Sequence, residues 1–350
     1  MTAVQSSVAS RKQPAQEQQP PGQRRSVTSG SALHFAERWA LVGLLLLVIA
    51  FFSFYSKTGS VFATSANAGV VTGNQAVIAL LALAAMFPLI AGHFDFSVGA
   101  NSALSSVLCA SLMSHHHTPL LLAIVASVAL GTAIGAINGI LVARFELSAF
   151  IITLGASTLL GGIISWDTKG QTIATGISQS LTGFGSNAIF GIPQLVYLVL
   201  VIAIACWYLL GQTPFGRKLY AIGANARAAR LVGVRVRREV FLSFLIAGAL
   251  AGVAGVLSTA RTGGATADPG TSLLFPAIAA VFLGATAVRP GQFNVIGTMV
   301  GVLFVAASVS GLTLAGAADW VQPVFNGAAL IVAVGLSTYL RRRRVGAGQT

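Results

Sequence analysis

The chain has 350 residues, of which 55% are apolar, and only 8% are Asp, Glu, Lys or Arg, against about a quarter charged in soluble domains. So few charges cannot coat a water-facing surface of this size. That excludes a soluble globular enzyme and a disordered chain, and leaves a polytopic membrane protein. The net charge of +13 would point to nucleic acid in a soluble protein, but here Lys and Arg record orientation, so no nucleic-acid partner is inferred.

Residues 1–37 are rich in Gln, Ser, Pro and Arg, lack apolar periodicity, and read as a disordered basic tail that holds the N-terminus inside. Arg24-Arg25 lacks the flanks of a twin-arginine signal. Ten apolar runs follow, near 39–55, 74–92, 97–114, 118–142, 149–166, 193–211, 240–259, 273–288, 293–312 and 321–339. Each spans or nearly spans a bilayer, and 273–288 is notably short. The expected fold is therefore all-α, a transmembrane bundle of about ten spans over 38–340, with a basic tail at 341–350. With the N-terminus inside and alternating spans, eighteen Lys and Arg fall inside and three outside. That asymmetry supports an even span count and cytoplasmic termini.

Cys109 and Cys206 lie in apolar runs and read as small buried residues rather than a disulfide. No CxxC, HExxH or GxxxxGK[ST] motif is present, so neither a zinc site nor a P-loop is visible. If ATP drives the protein, another chain binds it. Gly131/Gly135/Gly139, Gly248/Gly252 and Gly297/Gly301 are small-residue stripes suited to close helix packing. Gly131-Thr132-x2-Gly135 recurs as Gly297-Thr298-x2-Gly301, 166 residues and five spans later. An odd span offset suggests an inverted repeat, relating spans 2–5 to spans 7–10.

Three segments stand out. In Gly92-His93-Phe94-Asp95-Phe96-Ser97-Val98-Gly99 an acid stands between two apolar runs. Asp95 or Ser97 either caps the following helix or belongs to a pathway. Loop 212–239 carries seven Lys and Arg, interleaved with Leu219, Ile222, Ala226, Ala229 and Leu231 loosely at helical spacing, and Gly223 and Asn225 mark a break. It reads as a lipid-facing or partner-docking surface. In Gly263-Gly264-Ala265-Thr266-Ala267-Asp268-Pro269-Gly270 the Gly and Pro density implies irregular backbone beside a short span. Such backbone is tolerated within a membrane only inside protein or along a water-filled path. Asn74, Gln75, Asn101, Asn138, Asn294 and Asn326 supply amides in or beside the runs, suited to helix–helix bonding or to a neutral polyhydroxy ligand. The His115-His116-His117 turn has no further ligands near it in sequence.

At these three segments the chain resembles the membrane permease subunit of ribose/xylose/galactose-type sugar ABC importers. Those permeases carry GGIDLSVG where this chain has Ala91–Gly99, TxFGRxxYAIGxNxxAAxLxGI where it has Thr213–Val234, and GxxDPxxGxxxxxxAIAAVxLGGT where it has Gly264–Thr286. The resemblance runs from about 40 to 340. The departures are Phe94 and Phe96 for Ile and Leu, with His93 beside them, and Arg289-Pro290-Gly291-Gln292 in place of GGxG. The resemblance implies a second permease copy, a cytoplasmic ABC ATPase that holds the ATP, and an extracytoplasmic sugar-binding protein, around a chain in the bacterial inner membrane. No cofactor is expected in this chain. Gly216, Arg217, Tyr220, Gly223, Asn225, Ala229 and Leu231 would form the ATPase-coupling element. Asp95, Ser97 and Asn101, with Asp268 and Phe275 of segment 264–275, are expected to line or gate the path of a monosaccharide or polyol. An ion-coupled single-chain transporter is the alternative. A membrane enzyme would show ionisable clusters within its spans, whereas the eight acids here are scattered.

Overall fold

A computed structural model describes residues 28–347. Contacts divide the chain into two units at Ala36/Glu37, and the bundle belongs to the second. The first half runs α1 (Thr28–Phe54), α2 (Gly59–Phe62), α3 (Ser65–Ile90), α4 (Val98–Ser114), α5 (Leu120–Ala143) and α6 (Ala149–Thr168). Then come α7 (Gln179–Ser186), the two-residue strands β1 (Ala188–Ile189) and β2 (Ile192–Pro193), and α8 (Gln194–Gln212). The second half comprises α9 (Pro214–Leu231), α10 (Val236–Thr262), α11 (Thr271–Gly284), α12 (Val295–Leu314) and α13 (Val321–Ala347). The architecture is an all-α membrane bundle. Among the described residues, six helices (α3, α5, α6, α8, α10 and α12) are long and apolar enough to cross a bilayer. Four shorter apolar stretches, 38–54, 98–114, 271–284 and 321–336, complete the ten runs.

Three boundaries differ most from the sequence reading. Helix α3 starts at Ser65, nine residues before the expected run, because Thr64 caps it by accepting from Asn67 N. Its first turns are mostly small residues, with Ser65, Asn67 and Thr72 breaking the apolar pattern. At the chain ends, α1 begins at Thr28, within the stretch read as a tail, and α13 continues to Ala347 through the terminal arginines. Residues 1–27 and 348–350 of the two tails lie outside the described residues.

Helices α3 and α10 form the centre. Every residue from Leu80 to Phe87 is buried, as befits a helix that is apolar all round. Helix α10 packs on α3, α4 and α5, and α3 packs on α10, α11 and α12. Each central helix thus holds the two helices that follow the other one. The two halves exchange equivalent partners, the arrangement expected of a repeat. The register of that repeat is not the one the glycine echo suggested. Asp95 and Asp268, like Val98 and Thr271 at the starts of α4 and α11, are 173 residues apart. The two stripes at offset 166 meet different neighbours: Gly131 and Gly135 lie on Gly248 of α10, whereas Gly297 and Gly301 lie on Gly284 and Ala280 of α11.

The connections gather at two ends. At one, Arg237 pairs with Glu146, and Tyr220 reaches the backbone of Phe293. This end carries Arg217, Lys218, Arg227, Arg230, Arg235, Arg237 and Arg238 and is called the basic end below. At the opposite end Ile173 bridges to Ala265, and Pro193 of the β1–β2 hairpin meets Gly73. Cys109 and Cys206 are free thiols buried in the bundle.

Candidate functional site

Two of the shorter helices, α4 and α11, each start from an aspartate turn. Between α3 and α4 the chain reverses at Gly92, which takes a φ of +87°. Asp95, only 5% exposed, accepts from Ser97 N at 2.9 Å and from Ser97 Oγ at 2.6 Å. This local turn begins α4. Ser97 Oγ in turn accepts from Asn138 Nδ2 at 2.8 Å, and Asn101 Nδ2 donates to the Gly131 carbonyl at 3.0 Å. Asp95, Ser97 and Asn101 therefore tie the first turn of α4 to α5. Replacing Asn138 by Leu should strand the buried Ser97 and Asp95 and cost about 1–3 kcal/mol, read as a lower midpoint of thermal unfolding in detergent.

Before α11 the pattern repeats. Asp268 Oδ1 accepts from Gly270 N at 2.6 Å, and Oδ2 accepts from Ser272 Oγ at 2.9 Å. The two starts then meet. A Cβ built on Gly99 would lie 2.5 Å from the Gly270 carbonyl oxygen, and one on Gly270 would overlap the Gly99 carbonyl. The N-terminal ends of α4 and α11 thus touch backbone to backbone. Phe275, one turn into α11, is half exposed on the bundle surface.

Next to this junction, facing the opposite end, lies a cavity of about 250 Å³ between α3, α4, α10 and segment 266–273. Asn74, Ser102, Ser106, Arg261, Asp268 and Gly270 are among its walls. Arg261 is fixed by donating from Nε to Asn74 Oδ1 at 3.0 Å and from Nη1 to the Gly185 carbonyl at 3.3 Å. Of the expected site residues, Asp268 borders this cavity, whereas Asp95, Ser97, Asn101 and Phe275 do not. Ser102, Ser106 and Arg261 were not singled out from the sequence. The available signal was Arg261 itself, one of only three cations assigned to that side.

The six amides divide. Asn101 and Asn138 brace α4, Asn74 holds Arg261, and Asn294 caps α12 by accepting from Gly297 N at 2.7 Å. Gln75 Oε1 and Asn326 Oδ1 are buried without a hydrogen-bond partner.

At the basic end, α9 is two helical pieces. Asn225 breaks it with φ −160° and ψ 101°, and its Oδ1 caps the second piece by accepting from Ala228 N at 3.0 Å. The first piece is seated tightly: Gly216 abuts the Leu210 carbonyl, and Gly223 abuts the Ile90 carbonyl at the end of α3. Tyr220 Oη donates to the Phe293 carbonyl at 2.7 Å, and burial pushes this phenol above its usual range. Lys218 pairs with Glu239 at 3.4 Å. Glu146 is held below the usual carboxylate range by the hydrogen bond and the charge of Arg237. Ala229 is buried beneath the second piece, while Leu231 and Val232 stand 84% and 80% exposed at its tip. Arg217, Arg227, Arg230 and Arg235 are exposed around it.

Phe293 meets Phe282 of α11 edge-on at 5.2 Å, and Phe282 stacks on Phe94 at 6.0 Å. Phe94 stacks on Phe96, which meets Phe150 of α6. The two phenylalanines that depart from the resembled motif therefore join the α3–α4 turn to the end of α11.

Residues 68–334 match the family described as branched-chain amino acid transport system, permease component. The ribose import permease protein RbsC of Escherichia coli K12 is 32% identical over 309 residues, covering 86% of this chain and 95% of that protein. The D-allose transport system permease protein AlsC of the same strain is 31% identical, covering 88% and 94%. The autoinducer 2 import system permease protein LsrD of Photorhabdus luminescens is 30% identical, covering 75% and 80%. No solved structure matches the chain. A match this continuous, over ten apolar helices in the expected order, makes the protein a multi-pass transport subunit rather than an enzyme: it belongs to the branched-chain amino acid transport system permease family, as a permease component of an ABC importer.

Proposed function

We propose that the chain is one of two permease subunits in an ATP-driven importer for a monosaccharide or related polyol, working by alternating access in a bacterial inner membrane. Both termini and α9 face the cytoplasm, where the Lys and Arg concentrate. The ATP resides on a separate ABC ATPase, and an extracytoplasmic binding protein delivers substrate to the opposite end. The substrate class follows from relatives named for ribose and D-allose import, and from a cavity walled by hydroxyls, an amide and one charge of each sign.

One observation carries the reading. Helix α9 presents an apolar, arginine-flanked tip outward, and its other face rests on the last carbonyl of α3, just before the Asp95 turn. A protein that pushes on the tip therefore moves the element that starts α4. In this reading Gly216, Gly223 and Ala229 seat the helix, Tyr220 and Asn225 fix its geometry, and Leu231 with Arg217 meets the ATPase.

The double substitution Leu231→Asp/Val232→Asp places two carboxylates where about 1.5–3 kcal/mol of apolar burial per side chain is expected. Copurification with the partner ABC ATPase should be lost, and sugar uptake should fall at least about tenfold, since 1.4 kcal/mol is one decade. An ion-coupled single-chain transporter would keep its uptake, and that result would refute the assignment.

A further inference from the structure

We infer that the cavity between α3, α4, α10 and segment 266–273 is a binding subsite for one neutral sugar ring, assembled entirely from a single chain. The inference rests on the permease reading and adds where the ligand sits and which groups choose it.

Size is the first constraint. About 250 Å³ holds roughly eight waters at about 30 Å³ each, enough for one small ring.

The polar groups have capacity to spare. Arg261 uses Nε and Nη1 in bonds to Asn74 and Gly185, which leaves further N–H donors of its five. Each Asp268 oxygen accepts one internal bond and keeps a lone pair. Both side chains are locked in place by those bonds, so neither must be ordered when a ligand arrives. Ser102 is the telling residue. It is only 1% exposed, it borders the cavity, and its hydroxyl takes part in none of the hydrogen bonds among the described residues. Its hydroxyl opens on the cavity and is free to bond a ligand hydroxyl, which both donates and accepts.

Charge narrows the class to ligands without net charge. The cavity wall holds one guanidinium and one carboxylate. A neutral polyhydroxylated ligand satisfies both, whereas an anion would gain Arg261 and be repelled by Asp268. On one side the wall is Gly270, whose backbone abuts Gly99. The subsite is therefore bounded by the α4–α11 junction, and a ligand seated there passes on only when that junction parts.

The test uses Ser102→Cys in the whole importer reconstituted in lipid vesicles, with Thr266→Cys at the same cavity as a second reporter. Cys109 and Cys206 are buried and give a low background. Labelling by a small water-soluble methanethiosulfonate is timed with D-ribose, D-allose or D-galactose, and with sodium gluconate as a charged polyol of similar size. At least one neutral sugar should slow labelling about tenfold when present at about ten times its Kd, and gluconate should not. Equal rates with every sugar, equal protection by gluconate, or no labelling of either cysteine would overturn the subsite. Wild-type uptake is measured alongside. Uptake without protection removes the subsite alone, whereas protection without ATP-dependent uptake counts against the importer reading alone.

Discussion

Replacing Gly270 by Val is expected to abolish assembly of the bundle. Gly270 has a φ of +76°, a conformation that costs a residue with a Cβ about 1–2 kcal/mol. Its Cβ would also overlap the Gly99 carbonyl. The obstacle is backbone held by two helices, not the end of a flexible side chain, so relief requires α4 and α11 to separate. Overpacking of this kind costs about 1–3 kcal/mol or more. A total of about 2–5 kcal/mol is a large share of the roughly 5–15 kcal/mol that stabilises a folded protein. The readout is the yield of monodisperse protein by size exclusion, with the unfolding midpoint of whatever survives. Gly270→Ala and Gly99→Ala place the same methyl on the two sides of this contact, and the first should lose more because only Gly270 has a positive φ. Monodisperse Gly270→Val protein with an unchanged midpoint would show that the two helix starts do not meet as described.

The junction explains how much of the fold could be read from the chain. The ten apolar runs and their order follow from composition alone, because a span must be apolar over its length. The break in α9 was equally readable, since Gly223 and Asn225 are local signals and Asn225 caps within three residues. Asp95 was half readable. Its bond to Ser97 is local, but Asn138, forty-one residues on, completes the clamp, and no periodicity announces it. The start of α3 was hidden because Ser65–Gly73 is mostly small residues interrupted by Ser65, Asn67 and Thr72 and packs on the β1–β2 hairpin. The repeat was inferred from the glycine stripes and is better expressed by the two aspartate turns. Small residues recur wherever helices approach closely, so their echo carries less information than a turn that must start a helix. Arg261 and Ser102 became candidates only once α3, α4 and α10 had been brought together.

Gly223→Val should separate folding from transport. The first piece of α9 rests on the Ile90 carbonyl through Gly223, and its Tyr220 hydroxyl holds the Phe293 carbonyl at 2.7 Å. Ile90 leads into the Asp95 turn and so to α4. Phe293 leads through Phe282 to the end of α11 and through Phe94 back to the same turn. One short helix thus grips both elements whose N-terminal ends form the junction. A valine at 223 cannot share space with the Ile90 carbonyl, so α9 must lift. The lift does not disturb the α3–α10 centre, and it leaves Leu231 and Val232 exposed at the far end of the helix. The variant should therefore be produced at near wild-type levels and still copurify with the ATPase. Uptake should fall by about two decades, the equivalent of about 2.8 kcal/mol of lost coupling, while ATP hydrolysis continues without response to the binding protein. Tyr220→Phe removes one buried hydrogen bond worth about 1 kcal/mol and should lower uptake about fivefold with the same preserved hydrolysis. If Gly223→Val transports within twofold of wild type, α9 does not transmit through its seat on α3. If it loses the ATPase as well, the seat serves docking and not coupling.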